Sequence, residues 1–148
     1  MSVVVTETVR IACPAPEVFA IVSEPHRQAA YVPEVQSVEY LDGEGFAGIG
    51  TRVRETRRQA GSTLVTDLEV VEYDPDAGIV RMVADTHGTI WDTRMVVVPD
   101  GEDSRVTFTM DARGSTWSKR LVNRLMRGFF RRGIRGHLET LRTALARP

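Results

Sequence analysis

Val3, Val5, Val9 and Ile11 fall at alternate positions, so residues 3–11 predict a strand with one apolar face, on which Glu7 is the exception. Pro14-Ala15-Pro16-Glu17 stops that strand and opens a short helix running to about Ser23, with proline at an early helical position. Pro25 starts a second short helical turn, which Pro33 closes after Tyr31. From Glu34 to Ala112 apolar and polar residues alternate with period two between turn signals, predicting a meander of about six strands. The last 32 residues have helical spacing instead, opening near Ser115 as N-cap.

Strand registers can be tested against one another, because each register fixes which side chains share a face. A first loop over Gly43 to Gly50 pairs Glu39 with Arg54 and sets Gln36, Val38 and Tyr40 on one face with Arg57, Glu55 and Val53. A second turn at Gln59-Ala60-Gly61-Ser62 pairs Arg58 with Thr63 and adds Leu64, Thr66 and Leu68 to that face. The opposite face then sets Arg54 across from Asp67 and Arg52 across from Glu69, both favourable cross-strand pairs. A two-residue turn at His87-Gly88 pairs Ala84 with Trp91, Met82 with Thr93 and Val80 with Met95. The turn at Pro99-Asp100-Gly101 pairs Met95 with Phe108, Thr93 with Met110 and Val97 with Val106. One face is largely apolar and the other charged, so the sheet needs an apolar cover, and only the C-terminal helix is long enough.

On a helical wheel Leu121, Val122, Leu125, Met126, Phe129 and Phe130 form a broad apolar face, with Arg120, Arg124, Arg127, Arg131 and Arg135 as a basic stripe beside it. After Ile134 the apolar residues Leu138, Leu141 and Leu145 move to the phase of the stripe. Gly128, Gly133 and Gly136 sit where the phase turns, which predicts a kink or a helix crossing from one neighbour to another.

The 148 residues are expected to form one domain, 1–148, large enough to fold without a disulfide or metal staple. With 42% hydrophobic residues and a net charge of −1, disorder is excluded. The single cysteine, Cys13, rules out an internal disulfide framework and fits a reducing cytoplasm, and no apolar run suggests a span or secretory segment. His26, His87 and His137 lack ligand spacing, so no metal is expected. Charge is divided unevenly: residues 1–114 carry ten basic and nineteen acidic side chains, residues 115–148 nine and one. The acidic excess elsewhere favours intramolecular or solvated charge over nucleic-acid binding for the basic stripe, while weak contact with an anionic membrane stays open.

Candidate chemistry lies on the inward face. Gln36, Tyr40, Glu55, Arg57 and Thr66 all point inward in these registers, and a buried charge must pair or meet water. Two readings stand: a polar end to a greasy pocket that orients a ligand's oxygens, or an ion pair at the sheet edge. Glu55 leans slightly to the second and Arg57 to the first. Met82, Trp91, Met95 and Phe108 form an apolar wall, as pocket or as ordinary core, and Tyr31 sits near the mouth. Gly43-Glu44-Gly45-Phe46-Ala47-Gly48 fits G-x-G-x-x-G, but the strand pattern at Thr51-Arg52-Val53-Arg54 denies it the following helix that a dinucleotide needs. No serine or cysteine motif suggests a nucleophile, and Asp74 and Asp76 read as turn residues around Pro75.

The order of elements, α+β with a strand, two short helices, six antiparallel strands and a long C-terminal helix, is that of a helix-grip fold. The chain resembles the START-like (SRPBCC) superfamily, specifically bacterial proteins of the polyketide cyclase/dehydrase type. The resemblance rests on Pro14-Ala15-Pro16-Glu17-Val18-Phe19, Val22-Ser23-Glu24-Pro25, Gly48-Ile49-Gly50-Thr51-Arg52, Glu69-Val70-Val71-Glu72-Tyr73-Asp74-Pro75 and Phe129-Phe130-Arg131-Arg132-Gly133-Ile134-Arg135. It implies a seven-stranded antiparallel sheet wrapped around the last helix, with a cavity between them for a hydrophobic ligand. With the registers, the expected ligand-binding set is Tyr31, Gln36, Tyr40, Glu55, Arg57, Thr66, Met82, Trp91, Met95, Phe108, Leu125 and Phe129. Three functions follow from it. The first is binding of a small elongated hydrophobic molecule, without metal or redox cofactor, by a monomer or homodimer. The second is a polyketide aromatase/cyclase, for which the strand registers, not a family motif, offer Glu55 as base, Arg57 as oxyanion partner and Tyr31 or Tyr40 as donor. The third is transfer of a lipid or quinone at an anionic membrane, docked through the arginine stripe.

Overall fold

The computed structural model describes residues 2–43, 45–59 and 61–147, so Glu44 of the glycine-rich loop and Ala60 of the second turn lie outside the described residues. The strands are β1 (Ser2–Ile11), β2 (Val35–Tyr40), β3 (Arg52–Gln59), β4 (Ser62–Asp74), β5 (Ile79–Thr86), β6 (Thr89–Asp100) and β7 (Asp103–Gly114). The helices are α1 (Ala15–Val22), α2 (Pro25–Ala29), α3 (Trp117–Leu125) and α4 (Arg127–Leu145). All pairings are antiparallel, in the order β1-β7-β6-β5-β4-β3-β2. The α1–α2 connection carries the chain from one edge of the sheet to the other, and the meander returns it to β1.

The expected registers hold at Glu39–Arg54, Arg58–Thr63, Met82–Thr93 and Met95–Phe108. His87 and Gly88 both have positive φ, 52° and 79°, as a tight two-residue hairpin requires. One register needs correction. A bulge between Val35 and Ser37 sets Val35, not Gln36, opposite Arg57, and leaves Gln36 exposed on the solvent side. Arg54 makes the expected pair with Asp67 at 2.8 Å, whereas Arg52, though opposite Glu69, reaches Asp42 at 2.8 Å instead.

Two covers close the inner face in part. Helix α1 lays Val18, Phe19 and Val22 on β6 and β7. Helix α4 lays Ile134, Leu138 and Leu141 along β1, at the i, i+4, i+7 spacing of a buried helical stripe. Glu7, the polar exception on β1, faces that helix: Arg135 Nε donates to its Oε1 at 3.0 Å and Arg131 Nε lies 3.2 Å away. Beyond the end of α4, the Arg147 amide donates to the Ala12 carbonyl at 2.8 Å, fastening the chain to the end of β1.

The C-terminal helix departs from expectation in three ways. Its N-cap is Thr116, whose hydroxyl accepts from the Lys119 amide at 3.3 Å, one residue after Ser115. It breaks at Met126, where ψ is 1°, ahead of the three glycines, which lie within α4 with open space around them. Third, the broad apolar face over 121–129 does not pack on the sheet: Leu121, Val122, Leu125, Met126 and Phe129 are exposed. The sheet-facing side of α3 is polar, with buried Asn123 donating to Thr89 Oγ1 at 3.3 Å.

Among the described residues the outer face of the sheet carries one buried charge, Asp92, 7% exposed. Arg81 grips it with two hydrogen bonds, 2.8 and 2.6 Å, and Arg113 adds a third at 3.3 Å. Hydrogen bonding from Arg81 first, then the charges of both guanidiniums, hold its carboxyl below the ordinary 3.8 against the opposing effect of burial. Its stabilising share is therefore present above that value and lost as pH falls through the depressed one. Asp92→Asn is expected to lower unfolding stability by about 1–3 kcal/mol at neutral pH in urea titrations, with the gap to wild type closing below about pH 4.

Candidate functional site

The inner face reads as rows of neighbours across the sheet. One row is Tyr40, Val53, Leu68, Ala84, Trp91 and Ala112; the next is Val70, Met82, Thr93, Met110 and Val5. A third joins Tyr73, Val80, Met95, Phe108 and Glu7. Helix α4 packs on β1, α1 on β6 and β7, and α2 on β2, which leaves much of the inner face of β3 and β4 only half-buried. There Leu64, Thr66 and Leu68 are only half-buried, and Trp91, Phe108 and Phe130 likewise close the apolar wall without being sealed. Phe130 of α4 meets Trp91 edge-on at 5.2 Å between ring centroids, which joins helix to sheet.

Glu55 and Arg57 project from β3 on this half-buried inner face. Strand geometry puts residues two apart on one face, and Arg57 Nε donates to Glu55 Oε1 at 2.5 Å. The pair is partly buried, Glu55 17% and Arg57 35% exposed at the side chain, and Thr66 stands opposite Glu55 on β4. The bond satisfies one carboxylate oxygen and one guanidinium nitrogen, leaving the remaining N–H groups of Arg57 for another acceptor.

A second polar group comes from elements the sequence reading did not connect. His137 of α4 lies edge-on to Phe108, ring centroids 6.3 Å apart, and its Nε2 is 3.0 Å from the Gln28 amide nitrogen of α2. The same Gln28 nitrogen is 3.7 Å from the Met95 sulfur. With Gln28 donating, Nε2 accepts and the ring proton sits on Nδ1, a buried atom with no hydrogen-bond partner among the described residues. Burial first, then the positive charge of Arg57, pushes the His137 pKa down to about 4, with Glu34 opposing weakly. The imidazole is therefore neutral at pH 7. The signal for His137 was present in the helix spacing, since Ile134, His137, Leu138 and Leu141 form one i, i+3, i+4, i+7 face. Gln28, inside a five-residue helix, carries no such mark.

The other expected site residues are placed variously. Tyr40 donates its phenol to Glu24 at 3.3 Å, and burial together with that carboxylate raises its pKa above 10.0, so it braces α2 against β2. Tyr31, three residues after Gln28, packs half-buried against the core. Gln36 is on the solvent side for the reason given above, and Leu125 and Phe129 are exposed rather than part of the wall. The Cys13 thiol is buried, with burial and Glu17 raising its pKa, which suits packing rather than nucleophilic chemistry. A separate depression of about 230 Å³ lies under the β2–β3 loop, bordered by Tyr40, Asp42, Ile49 and Thr51. Its polar groups are already paired, Asp42 with Arg52, Tyr40 with Glu24 and Thr51 with the Ala47 amide, leaving few to orient a ligand.

Solved structures share this architecture. The Zhui aromatase/cyclase from Streptomyces sp. R1128 superposes with a TM-score of 0.79 at 16% identity, over 98% of this chain and 94% of that one. A START superfamily protein from Mycobacterium smegmatis gives 0.71 at 19% identity, over 97% and 99%. Norcoclaurine synthase from Thalictrum flavum, in complex with dopamine and hydroxybenzaldehyde, gives 0.70 at 14% identity, over 97% and 86%. At these identities the likeness is one of fold. Among curated proteins no relative matches. A family model matches residues 2–146, nearly the whole described chain with its grip of sheet on helix, and the chain belongs to the family described as polyketide cyclase / dehydrase and lipid transport.

Proposed function

We propose that the concavity between the inner face of β3–β7 and α4 binds a small, elongated hydrophobic molecule that carries an oxygen-bearing end. The observation that carries this reading is one juxtaposition. A half-buried aromatic wall of Trp91, Phe108 and Phe130 stands on the same inner side of the sheet as a partly buried guanidinium, Arg57, tied to Glu55. The wall supplies apolar area without direction, and Arg57 supplies direction, since its remaining donors suit a carbonyl, phenolate or carboxylate. The nearby neutral His137 adds no second positive charge, so the polar end of the site stays electrically balanced around the Glu55–Arg57 pair. Family membership supports the same class of ligand.

Catalysis is the second reading, favoured by the placement of a neutral imidazole within the field of Arg57. In an aldol cyclisation the α-carbon of one carbonyl loses a proton, and the resulting enolate oxygen needs a donor. Arg57 is suited to that oxygen. The proton acceptors are His137 Nε2, once it releases the Gln28 amide, and the Glu55 oxygen that Arg57 leaves free. A cyclisation assay with a short poly-ketone thioester separates the readings: a rate abolished in Arg57→Met and His137→Gln supports catalysis, and its absence in wild type supports binding alone.

Anilinonaphthalene sulfonate, apolar with one anionic end, is a direct probe. It is expected to bind the folded chain saturably, and Arg57→Met should weaken it about ten-fold, or about 1.4 kcal/mol, while Gln36→Ala leaves it unchanged. Equal affinity in wild type and Arg57→Met, with near-ultraviolet circular dichroism intact, would remove Arg57 from the site.

His137 makes a separate prediction about pH. Its pKa is about 4 in the folded chain against 6.5 ordinarily, so the unfolded chain binds more protons in that window. Its contribution is intact above pH 6.5 and lost as pH falls toward 4. Unfolding free energies of wild type from urea titrations should fall between pH 7 and pH 4 by on the order of 3 kcal/mol more than those of His137→Gln. Parallel curves for the two proteins would mean that the imidazole is accessible and titrates normally.

A further inference from the structure

Helix α3 is inverted relative to an ordinary surface helix. Trp117, Leu121 and Leu125 recur every four residues on one stripe, Trp117 at 72% and Leu125 at 76% exposure, and Val122 and Phe129 widen it. The buried residue of α3 is Asn123, 6% exposed, about half a turn of the wheel away from Leu121 and Leu125. Close backbone packing holds the helix on that polar side, since a Cβ on Gly114 would fall 2.6 Å from the Arg120 amide nitrogen. Amphipathic surface helices turn their apolar stripe to the protein. Here the protein takes the polar side and the apolar stripe faces out.

The charges around the stripe have one sign. From Ala112 to Leu138 the chain has no Asp or Glu, while Lys119, Arg120 and Arg124 lie on α3 itself and Arg132 on the first turns of α4. Among the described residues none of these four joins an ion pair, whereas Arg131 and Arg135 of the same basic stripe are spent on Glu7. Self-association through this face would bring like charges together with no carboxylate between them. The exposed stripe also continues inward. Phe129 touches Phe130 at 6.4 Å between centroids, and Phe130 touches Trp91 at 5.2 Å on the concavity wall.

We infer that α3 is a docking helix for an anionic lipid bilayer. Its Trp117–Leu121–Leu125 stripe enters the boundary between headgroups and acyl chains, and Arg120 and Arg124, which adjoin the stripe on one flank, meet lipid phosphates. Among the described residues no helix is long and apolar enough to cross a membrane, so the contact is peripheral. Docking in this way turns the Phe129–Phe130–Trp91 side of the concavity toward the bilayer. That last consequence rests on the ligand-binding reading; the docking itself does not.

The experiment is co-sedimentation of the full chain with phosphatidylcholine vesicles, with and without about one third phosphatidylglycerol, alongside tryptophan fluorescence. The anionic vesicles should bind the protein at least about ten-fold more tightly than the neutral ones, high salt should reverse it, and the emission should shift to the blue. Trp117→Phe should remove the blue shift, and Leu121→Glu with Leu125→Glu, at exposed positions, should abolish sedimentation with the melting curve unchanged. Arg120→Gln with Arg124→Gln should abolish the preference for phosphatidylglycerol. Equal binding to both vesicles, retained binding in the Leu→Glu variant, or a solution dimer that the Leu→Glu variant dissociates would each overturn the inference. Loss of anilinonaphthalene sulfonate binding in Arg57→Met is read without vesicles, so the two proposals fail separately.

Discussion

A sheet of seven strands is wider than the helix that must cover it. Strands about 4.8 Å apart make a face roughly 30 Å across, and a helix with its side chains is about 10 Å wide. This chain resolves the mismatch by placing α4 on β1, α1 on the neighbouring β7 and β6, and α2 on β2 at the far edge. What is left over is the inner face of β3 and β4, where the polar residues Glu55, Arg57 and Thr66 stand. The half-open face is thus a consequence of fold geometry, and the sequence has populated it with groups that tolerate partial exposure.

Electrostatics follow the same division. Where the sheet is covered, the charge within is paired, with Glu7 accepting from Arg135 and with Arg131 3.2 Å away. Where it is open, the Glu55–Arg57 pair keeps donors unspent, and His137 is held neutral by burial and by Arg57. Bringing these groups together takes three remote pieces of chain, β3, α2 and α4. Gln28 and His137 are 109 residues apart in sequence and 3.0 Å apart in space. The edge to which α2 and β2 belong is braced in turn by the bond from Tyr40 to Glu24.

Much of the fold was legible because a period of two is unforgiving: a register error of one residue would put the whole apolar set of Met82, Met95 and Met110 on the wrong side. The same strictness explains the failure at Gln36, since a bulge adds one residue without a turn signal to announce it. The ion pair of Glu55 and Arg57 was readable from spacing within one strand. The second half of the site was not, because Gln28 and His137 meet through the docking of short helices, which no local pattern records. The C-terminal helix misled for a different reason. It has two apolar stripes of different phase, over 121–130 and 134–145, and a wheel ranks stripes by hydrophobicity without saying which one meets the sheet. Thr89 and Gly114 decide it, by giving Asn123 a hydrogen bond and the α3 backbone a place to rest.

The central claim is that the concavity is a binding site rather than incompletely filled core, and the methionines report on it. Met82, Met95 and Met110 line the inner face, whereas Met126 sits exposed at the helix break. Methyl-labelled methionine spectra recorded while a water-soluble anthraquinone sulfonate is added would read ring-current shifts at each site. Saturable shifts at Met82 and Met95, with Met126 unmoved, are the predicted result. A ligand that bound while leaving both inner methyls in place, or moved Met126 alone, would contradict the account.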